Sequence, residues 1–422
     1  ILAGTTGGGS ITNNGATANI VTFTQHLSVT QAGNKTFTLG GSNTGDNAFN
    51  GVIPDGASGS VSLAKSGAGK WILSNDNTFT GSVTVTGGTL EVTKLADGLA
   101  NSSIGASGNA ATNLLLGNAT TLRYTGSGDS TDRSFTINGT SNNHQATLDA
   151  SGTGAISFTN TDALAYGTNN QSRKLTLTGT NTGNNTLAAS IADNGAGVVS
   201  LVKAGAGNWN ISGDMSHTGG ISITQGNLYL SGTNTYSGET SGPRSSNIRS
   251  VVFQGIQALS ANTALTYINN GGVGSSPTFA VLDDGVGTIS KGAGIQMTTK
   301  DNTSGINIFV GNNGIANGGN GAGLTIGSTI ALGNMNSDEG SANKTSQTLN
   351  VTGANGYRLQ INDVNINLFT TSTTPYTAIF NPTSAPLSIA GNVQQAGNGL
   401  SLIHISEPTR LRRISYAVFC LK

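Results

Sequence analysis

The sequence predicts an all-β, right-handed parallel β-helix, a single-chain solenoid, and three observations predict it. The first is a long internal repeat. Lys65–Val92, KSGAGKWILSNDNTFTGSVTVTGGTLEV, returns as Lys203–Leu230, KAGAGNWNISGDMSHTGGISITQGNLYL, with no insertion or deletion between the copies. Lys65, Gly67, Gly69, Trp71, Gly81, Gly88 and Leu90 fall on Lys203, Gly205, Gly207, Trp209, Gly219, Gly226 and Leu228, a constant offset of 203 − 65 = 138 residues. The second is a shorter echo: the text from Leu73, LSNDNTFTGSV, is repeated from Leu230 as LSGTNTYSGET, which sets Tyr236 and Gly238 over Phe79 and Gly81 at an offset of 157. Because 157 − 138 = 19, the pattern also matches itself slid by 19 residues, as stacked coils do. The third is alternation. Val61 and Leu63, Trp71 and Leu73, Val83 and Val85, and Leu90 and Val92 are separated by small polar residues, so each pair lies on one face of a short strand. Strands this short cannot close a globular core, but wound as coils they bury a narrow apolar stack between identical neighbours. A 19-residue coil throughout would give roughly 20 coils.

Taken in order, residues 1–33 read as entering coils, with strands at Ile20–Thr24 and His26–Val29. His26 is expected on the coil surface or in a turn. Repeat copies occupy 34–92 and 172–240. Between them, the text changes over Leu95–Ala119, and strands are expected at Thr121–Gly126, Ala146–Asp149 and Ala155–Phe158. Residues 241–399 are divergent coils. There Gly242-Pro243-Arg244 interrupts, and Ile248–Leu259 suggests a short helix or lateral loop. Strand patterning resumes at Phe279–Leu282, Ile306–Val310, Leu324–Ile326 and Ile361–Phe369, and Ser388–Val393 starts a new repeat. Residues 1–399 are thus expected as one continuous β-helix.

Lys65–Gly69, Trp71–Ser74, Thr78–Gly81 and Gly87–Leu90, with Asn234–Thr240 again, resemble the autotransporter-associated β-strand repeat, or passenger-associated transport repeat, of bacterial passenger regions. The pattern departs at Ser82-Val83 and at Met215-Ser216-His217, which read as local turn changes. The resemblance implies a non-enzymatic passenger or stalk fragment of a type V-secreted, outer-membrane-associated surface or extracellular protein. It would aid export and display functional parts, with membrane contact only through a C-terminal anchor or barrel outside this sequence. It implies no cofactor, no metal and no catalytic residue; the repeat residues, from Lys65 to Gly238, are structural.

Composition excludes other classes. Basic and acidic side chains balance at 19 each, and only 9% of residues are charged, against about a quarter in ordinary domains. No basic surface for nucleic acid follows from that. No apolar run reaches the roughly 20 residues of a membrane helix, and no leader precedes Ile1. Residues 400–422 break the texture. LSLIHISEPTR and ISYAVFCL resemble, in order, the two ends of a translated sequencing adapter, with Leu411-Arg412-Arg413 as an index between them. They are expected to be a non-native tail that packs poorly. Without them the single cysteine, Cys420, disappears, which fits an exported chain.

Several chemical motifs fail on inspection. Gly128-Asp129-Ser130 suggests a serine nucleophile, but His144 in a polar turn is its only nearby base. Asp132-Arg133 reads as a turn or ladder pair. Gly67-Ala68-Gly69-Lys70 lacks the first glycine and the last hydroxyl of a phosphate loop. Gly318–Gly323 lacks the aspartate of a calcium nonapeptide, and Asp283-Asp284 precedes a glycine as turns do. Trp71 and Trp209 could stack on sugars, but their equal placement favours packing. Two alternative functions remain: an adhesin binding glycan or host protein along the β-helix and, ranked below it, a β-helical polysaccharide lyase or hydrolase. A small-molecule substrate is not expected; a glycan or cell-surface partner is left open.

Overall fold

A computed structural model describes residues 2, 7–243, 249–268, 277–298, 304–312, 327–338, 346–367, 376–396, 401–405 and 419–421. The chain divides into two compact units, Ile1–Thr218 and Gly219–Lys422, and both are parallel β-solenoids. The predicted all-β coil architecture is what the chain forms.

In the first unit, one sheet stacks Gly7–Thr12, Lys35–Gly40, Val61–Lys65, Val83–Val85, Leu114–Leu116, Thr136–Ile137 and Ala165–Tyr166. A second stacks Thr22–Phe23, Asn47–Phe49, Lys70–Leu73, Gly88–Val92, Thr120–Tyr124, His144–Ala150, Arg173–Thr178 and Val199–Lys203. A third begins only at Ser127–Thr131 and continues through Gly154–Phe158, Thr186–Leu187 and Asn208–Ile211. Alternation puts every second side chain inside. Phe37, Leu63, Val83 and Leu114 lie in register on successive coils and are buried, as are Trp71, Leu90, Leu122, Leu148 and Leu177. Burying each such side chain stabilises the coil by about 1.5–3 kcal/mol.

The turn that joins the two strands of a coil needs a left-handed residue. Gly67 (φ 70°) and Gly205 (φ 67°) supply it in one place, and Gly88 (φ 65°) and Gly226 (φ 72°) in another. A Cβ on Gly67 or Gly88 would also strike the backbone of the coil below, at Gly41 and Gly69.

Coil length differs from the sequence expectation. A 19-residue step occurs where Trp71 lies beside Leu90 and where Ile221 pairs with Thr240. Elsewhere the step is longer: Lys35 pairs with Val61, Val83 with Leu114 and Arg173 with Val199. The coils are therefore fewer and larger than a uniform 19 residues implies, because inserted residues leave at the corners without disturbing the ladder. Equivalent strands also change face. Val61–Lys65 lies in the first sheet, while its repeat counterpart Val199–Lys203 lies in the second. Ser127–Thr131 and Gly154–Phe158 each follow a second-sheet strand and shift the assignment by one face.

In the second unit, one sheet runs Ile221–Ile223, Thr240–Pro243, Ala264–Ile268, Gly294–Thr298, Met335–Asp338, Val364–Asn367 and Val393–Ala396. Another runs Gly226–Leu230, Arg249–Gln254, Thr278–Leu282, Ser304–Gly311, Ser346–Gly353 and Tyr376–Pro382. A smaller one stacks Thr288–Ser290, Thr329–Ala331, Arg358–Ile361 and Leu387–Ile389.

Local differences have local causes. The strand expected at Ile20–Thr24 shrinks to Thr22–Phe23, and Ile20 is 53% exposed. His26–Val29 forms only a bridge from Val29 to Leu2, and the His26 Nδ1 accepts the Val52 N–H at 2.8 Å. The segment ending at Leu259 is the Arg249–Gln254 strand followed by one 3-10 turn, Ile256–Ala258, with no longer helix. Ile361–Phe369 is divided between Arg358–Ile361 and Val364–Asn367. Leu324–Ile326 and Gly318–Gly323 lie outside the described residues, as do residues 406–418 of the tail. The expected poor packing of the tail does not extend to its first backbone. Ser401–Ile405 pairs in parallel with Tyr376–Pro382, and Phe419–Leu421 returns antiparallel to it. An open ladder end offers unpaired N–H and C=O groups to any extended segment, whatever its origin.

Candidate functional site

The repeat residues converge on the turns between strands. Lys65 and Lys203 occupy inward positions and are fully buried. The Lys65 ammonium donates to the carbonyls of Ser66 (3.0 Å), Gly67 (3.0 Å) and Gly87 (2.9 Å), tying one turn to the turn of the next coil. Lys203 donates to Ala204 (2.7 Å) and Gly205 (2.9 Å). Burial pushes Lys65 down to about 8 and Lys203 to about 7, while the carbonyl acceptors favour the charged form. One coil earlier in each copy, Lys35 donates to Gln31, Ala32 and Gly33, and its counterpart Arg173 donates to five carbonyls. These cations are internal staples, each binding backbone oxygens rather than an acid.

Trp71 and Trp209 are each 1% exposed, so neither presents a face to a sugar. Their indole N–H groups donate to Gly40 (2.9 Å) and Thr178 (2.8 Å), the coil below in both copies. Leu73 rests beside Val92, and Leu90 beside Trp71; Leu228 is fully buried in its own strand. Gly81 and Gly238 stand where a Cβ would meet the preceding coil, at Val61 and Gly219, and Gly69 and Gly207 do the same at Asn43 and Asn181. Tyr236 is buried, with its hydroxyl 2.7 Å from the Thr240 hydroxyl, and burial pushes its phenol up. Met215 and His217 lie in the turn between two strands, as read, but the turn is buried. They take the buried corner positions of Asn77 and Phe79, and all four are fully inaccessible. Val83, the other departure, is likewise a buried strand residue.

A second set of staples escaped the sequence reading. Asp55 accepts the N–H of Val61 (2.6 Å) and both the N–H (3.1 Å) and hydroxyl (2.7 Å) of Thr80. Asp193 accepts the same three groups from Val199 (2.8 Å) and Thr218 (3.1 and 2.6 Å). Asn47 and Asn185 both donate across coils, to Lys70 (3.1 Å) and Asn208 (2.8 Å). Each pair obeys the 138-residue offset, which was the available signal; comparison centred on glycines, Lys65 and Trp71 passed over it.

Burial pushes the Asp193 carboxyl up, but bonds from Thr218 and Val199, with His217 nearby, outweigh it and hold the group below its ordinary value. Its contribution is therefore present above the unfolded pKa and lost as pH falls through the folded value. Asp193→Asn is expected to cost about 1–3 kcal/mol at pH 7. In urea melts the gap to wild type should narrow below about pH 4; a gap independent of pH would remove the charge from the explanation.

The catalytic-looking residues are placed apart or otherwise engaged. Ser130 lies on a third-sheet strand and His144 on a second-sheet strand, with His144 Nδ1 3.3 Å from the Asn138 carbonyl. Asp129 accepts the Leu95 N–H at 2.9 Å. Asp132 and Arg133 attract each other electrostatically but make no direct ion pair. Asp132 accepts from Gly98 (2.7 Å) and Asn109 (3.0 Å), whereas the buried Arg133 staples the linker after Leu95 through Ala96, Ser107, Asp97, Ala100 and Gly105. Asp283 accepts from Ile256 (2.6 Å) and Gly285 (2.7 Å), a turn role. Among the described residues no group of three His, Cys, Asp or Glu is placed to hold a metal, and no helix is long and apolar enough to cross a membrane. Gly67-Ala68-Gly69-Lys70 is a turn whose lysine pairs with Asp46 and lies 3.6 Å from Glu91. That pair opens a ladder of alternating charge on the outer second-sheet face, since Arg123 sits 3.8 Å from Glu91 and 2.7 Å from Asp149.

Comparison with known proteins agrees with this placement. The passenger-associated transport repeat family matches residues 63–92, 201–229 and 225–241, the coils that carry Lys65, Trp71, Lys203, Trp209 and Tyr236. The adhesin BmaC autotransporter of Brucella suis biovar 1 (strain 1330) is 40% identical over 242 residues, 56% of this chain and 7% of that protein. The chain thus spans a small fraction of the curated relative it matches. No solved structure matches it. The chain thus carries passenger-associated transport repeats at residues 63–92 and 201–241, and over 242 residues it is similar to part of an autotransporter adhesin.

Proposed function

We infer that this stretch is a non-enzymatic stalk of the passenger, aiding export and holding functional parts away from the bacterial surface. The observation that carries the reading is the parallel ladder itself. A coil finds its backbone partners in the adjacent coil, so folding can proceed one coil at a time as the chain emerges, without external energy. The engagement of Asp129, Asp132 and Asp283 by backbone amides supports a structural use of these carboxylates. The relative's name, an adhesin, supports a second reading in which the stalk also binds a partner.

The test places residues 1–399 between a signal peptide and an outer-membrane barrel in a Gram-negative host. The stalk reading predicts that the segment becomes accessible to protease added outside the cell. Retention in the periplasm while the barrel inserts would contradict it.

A further inference from the structure

We propose that one outer sheet face of the second unit is a binding platform for an uncharged oligosaccharide; this rests on the adhesin reading. The face belongs to the sheet containing Gly226–Leu230, Arg249–Gln254, Thr278–Leu282, Ser304–Gly311 and Ser346–Gly353. Inward positions there are buried, such as Leu228, Val251, Phe279, Ile308 and Val351, so the intervening residues face outward.

Two rows result. In the first, Asn227, Ser250, Thr278, Asn307, Asn350 and Asn381 follow one another in register on successive coils. Ser250 donates to Asn227 at 2.7 Å, Asn350 to Asn307 at 2.9 Å and Asn381 to Asn350 at 2.9 Å. The row is thereby fixed as an array of amides and hydroxyls. An amide can form four hydrogen bonds, and this ladder uses two of those of Asn350. Two residues further along each strand, Tyr229, Val252, Ala280 and Phe309 form the second row, also in register. Val252 and Ala280, 7% and 8% exposed, form with the buried Leu282 an apolar cluster against which the partly buried Tyr229 and Phe309 pack.

An apolar cluster on the outside of a solenoid, with two aromatic rings over small residues, is not needed to close the core. The rings are separated by three coil steps, about 14 Å along the ladder. Each step is comparable to the length that one pyranose ring adds to an extended chain. Sugar rings present C–H faces to aromatics and hydroxyls to amides, and the two rows supply both sides. The positions named on this face carry no charge, whereas the outer second-sheet face of the first unit carries Asp46, Lys70, Glu91, Arg123 and Asp149. That contrast selects a neutral ligand over a uronic or phosphorylated one.

The experiment measures binding of cellohexaose, chitohexaose, maltohexaose and oligogalacturonate to residues 1–399 by calorimetry. Tyr229→Leu and Phe309→Leu keep apolar cover over Val252 and Ala280 while removing the aromatic face. The proposal predicts binding of at least one neutral hexasaccharide, weakened about tenfold or more by either variant, retained by Tyr229→Phe and untouched by Glu91→Gln. It is overturned if wild type binds none of the neutral sugars, if it prefers oligogalacturonate, or if binding survives both leucine variants. It is also overturned if these variants abolish self-association in sedimentation without any sugar binding, which would give the face to a second copy of the chain. Surface display of the same variants separates the two readings. Normal display without sugar binding ends this proposal alone, whereas failed display of wild type ends the stalk reading.

Discussion

Arg173→Ala is expected to lower the stability of the first unit by about 3 kcal/mol, the cost of leaving buried carbonyls without their charged donor. The side chain is 1% exposed and donates to Gly139 (2.8 Å), Ser141 (2.9 Å), Ser172 (2.9 Å), Ile137 (3.3 Å) and Thr168 (3.3 Å). Alanine leaves these carbonyls without their donor in a space that water must then enter. Arg173→Lys should cost less, about 1–2 kcal/mol, because an ammonium still supplies three donors. The chain already contains that version: at the equivalent point Lys35 holds three carbonyls with 2.7–3.1 Å bonds. Urea midpoints of the three proteins test the order. Equal midpoints for wild type and Arg173→Ala would mean that the turn carbonyls find other partners and that the staple is dispensable.

The staples also show what a sequence reveals of such a fold. Alternation at Val61–Lys65 and Trp71–Leu73 made the inward faces readable, because burial acts on every second residue whatever the neighbouring coil contains. The 19-residue slide identified a real coil, the one that carries Trp71 onto Leu90. Coil length elsewhere was hidden because corner insertions such as Leu95–Asn109 cost the ladder nothing. The exchange of sheets between Val61–Lys65 and Val199–Lys203 was hidden for the same reason: local patterning records in and out, and not which of three faces a strand joins. Polar corner residues were harder still. Asp55, Asn47 and Arg133 look like surface residues by type, and only the coil above or below reveals the amides and carbonyls they engage. The burial of the turn residues Met215 and His217 was hidden because such a corner accepts Asn, Met, Phe, His or Tyr, provided that the volume is filled.

Deletion of residue Thr84 alone is expected to be more damaging than deletion of 138 residues. Val83 and Val85 are fully buried on either side of Thr84, in register with Leu63 and Lys65. Removing Thr84 turns Val85 outward and Thr86 inward, and it displaces the turn that Lys65 clamps through Gly87. Loss of inward Val85 alone is worth about 1.5–3 kcal/mol, and the clamp adds to it. Removing 34–171, in contrast, joins Gly33 to Ser172. Arg173 then stands where Lys35 stood, above the same Gln31, Ala32 and Gly33 carbonyls, and Arg173–Thr178 meets Gly7–Thr12 as Lys35–Gly40 did. The change of sheet between the copies is no obstacle, because a strand pairs with its adjacent coil and carries no record of its earlier face.

The most direct test of the coil-register account is therefore protease resistance of these two deletion variants, read beside far-ultraviolet circular dichroism and urea unfolding. The account predicts a shorter, β-rich and cooperatively unfolding protein after removal of 34–171, and rapid cleavage within residues 61–92 after removal of Thr84. A protein that tolerates the loss of Thr84 but unfolds without 34–171 would contradict it.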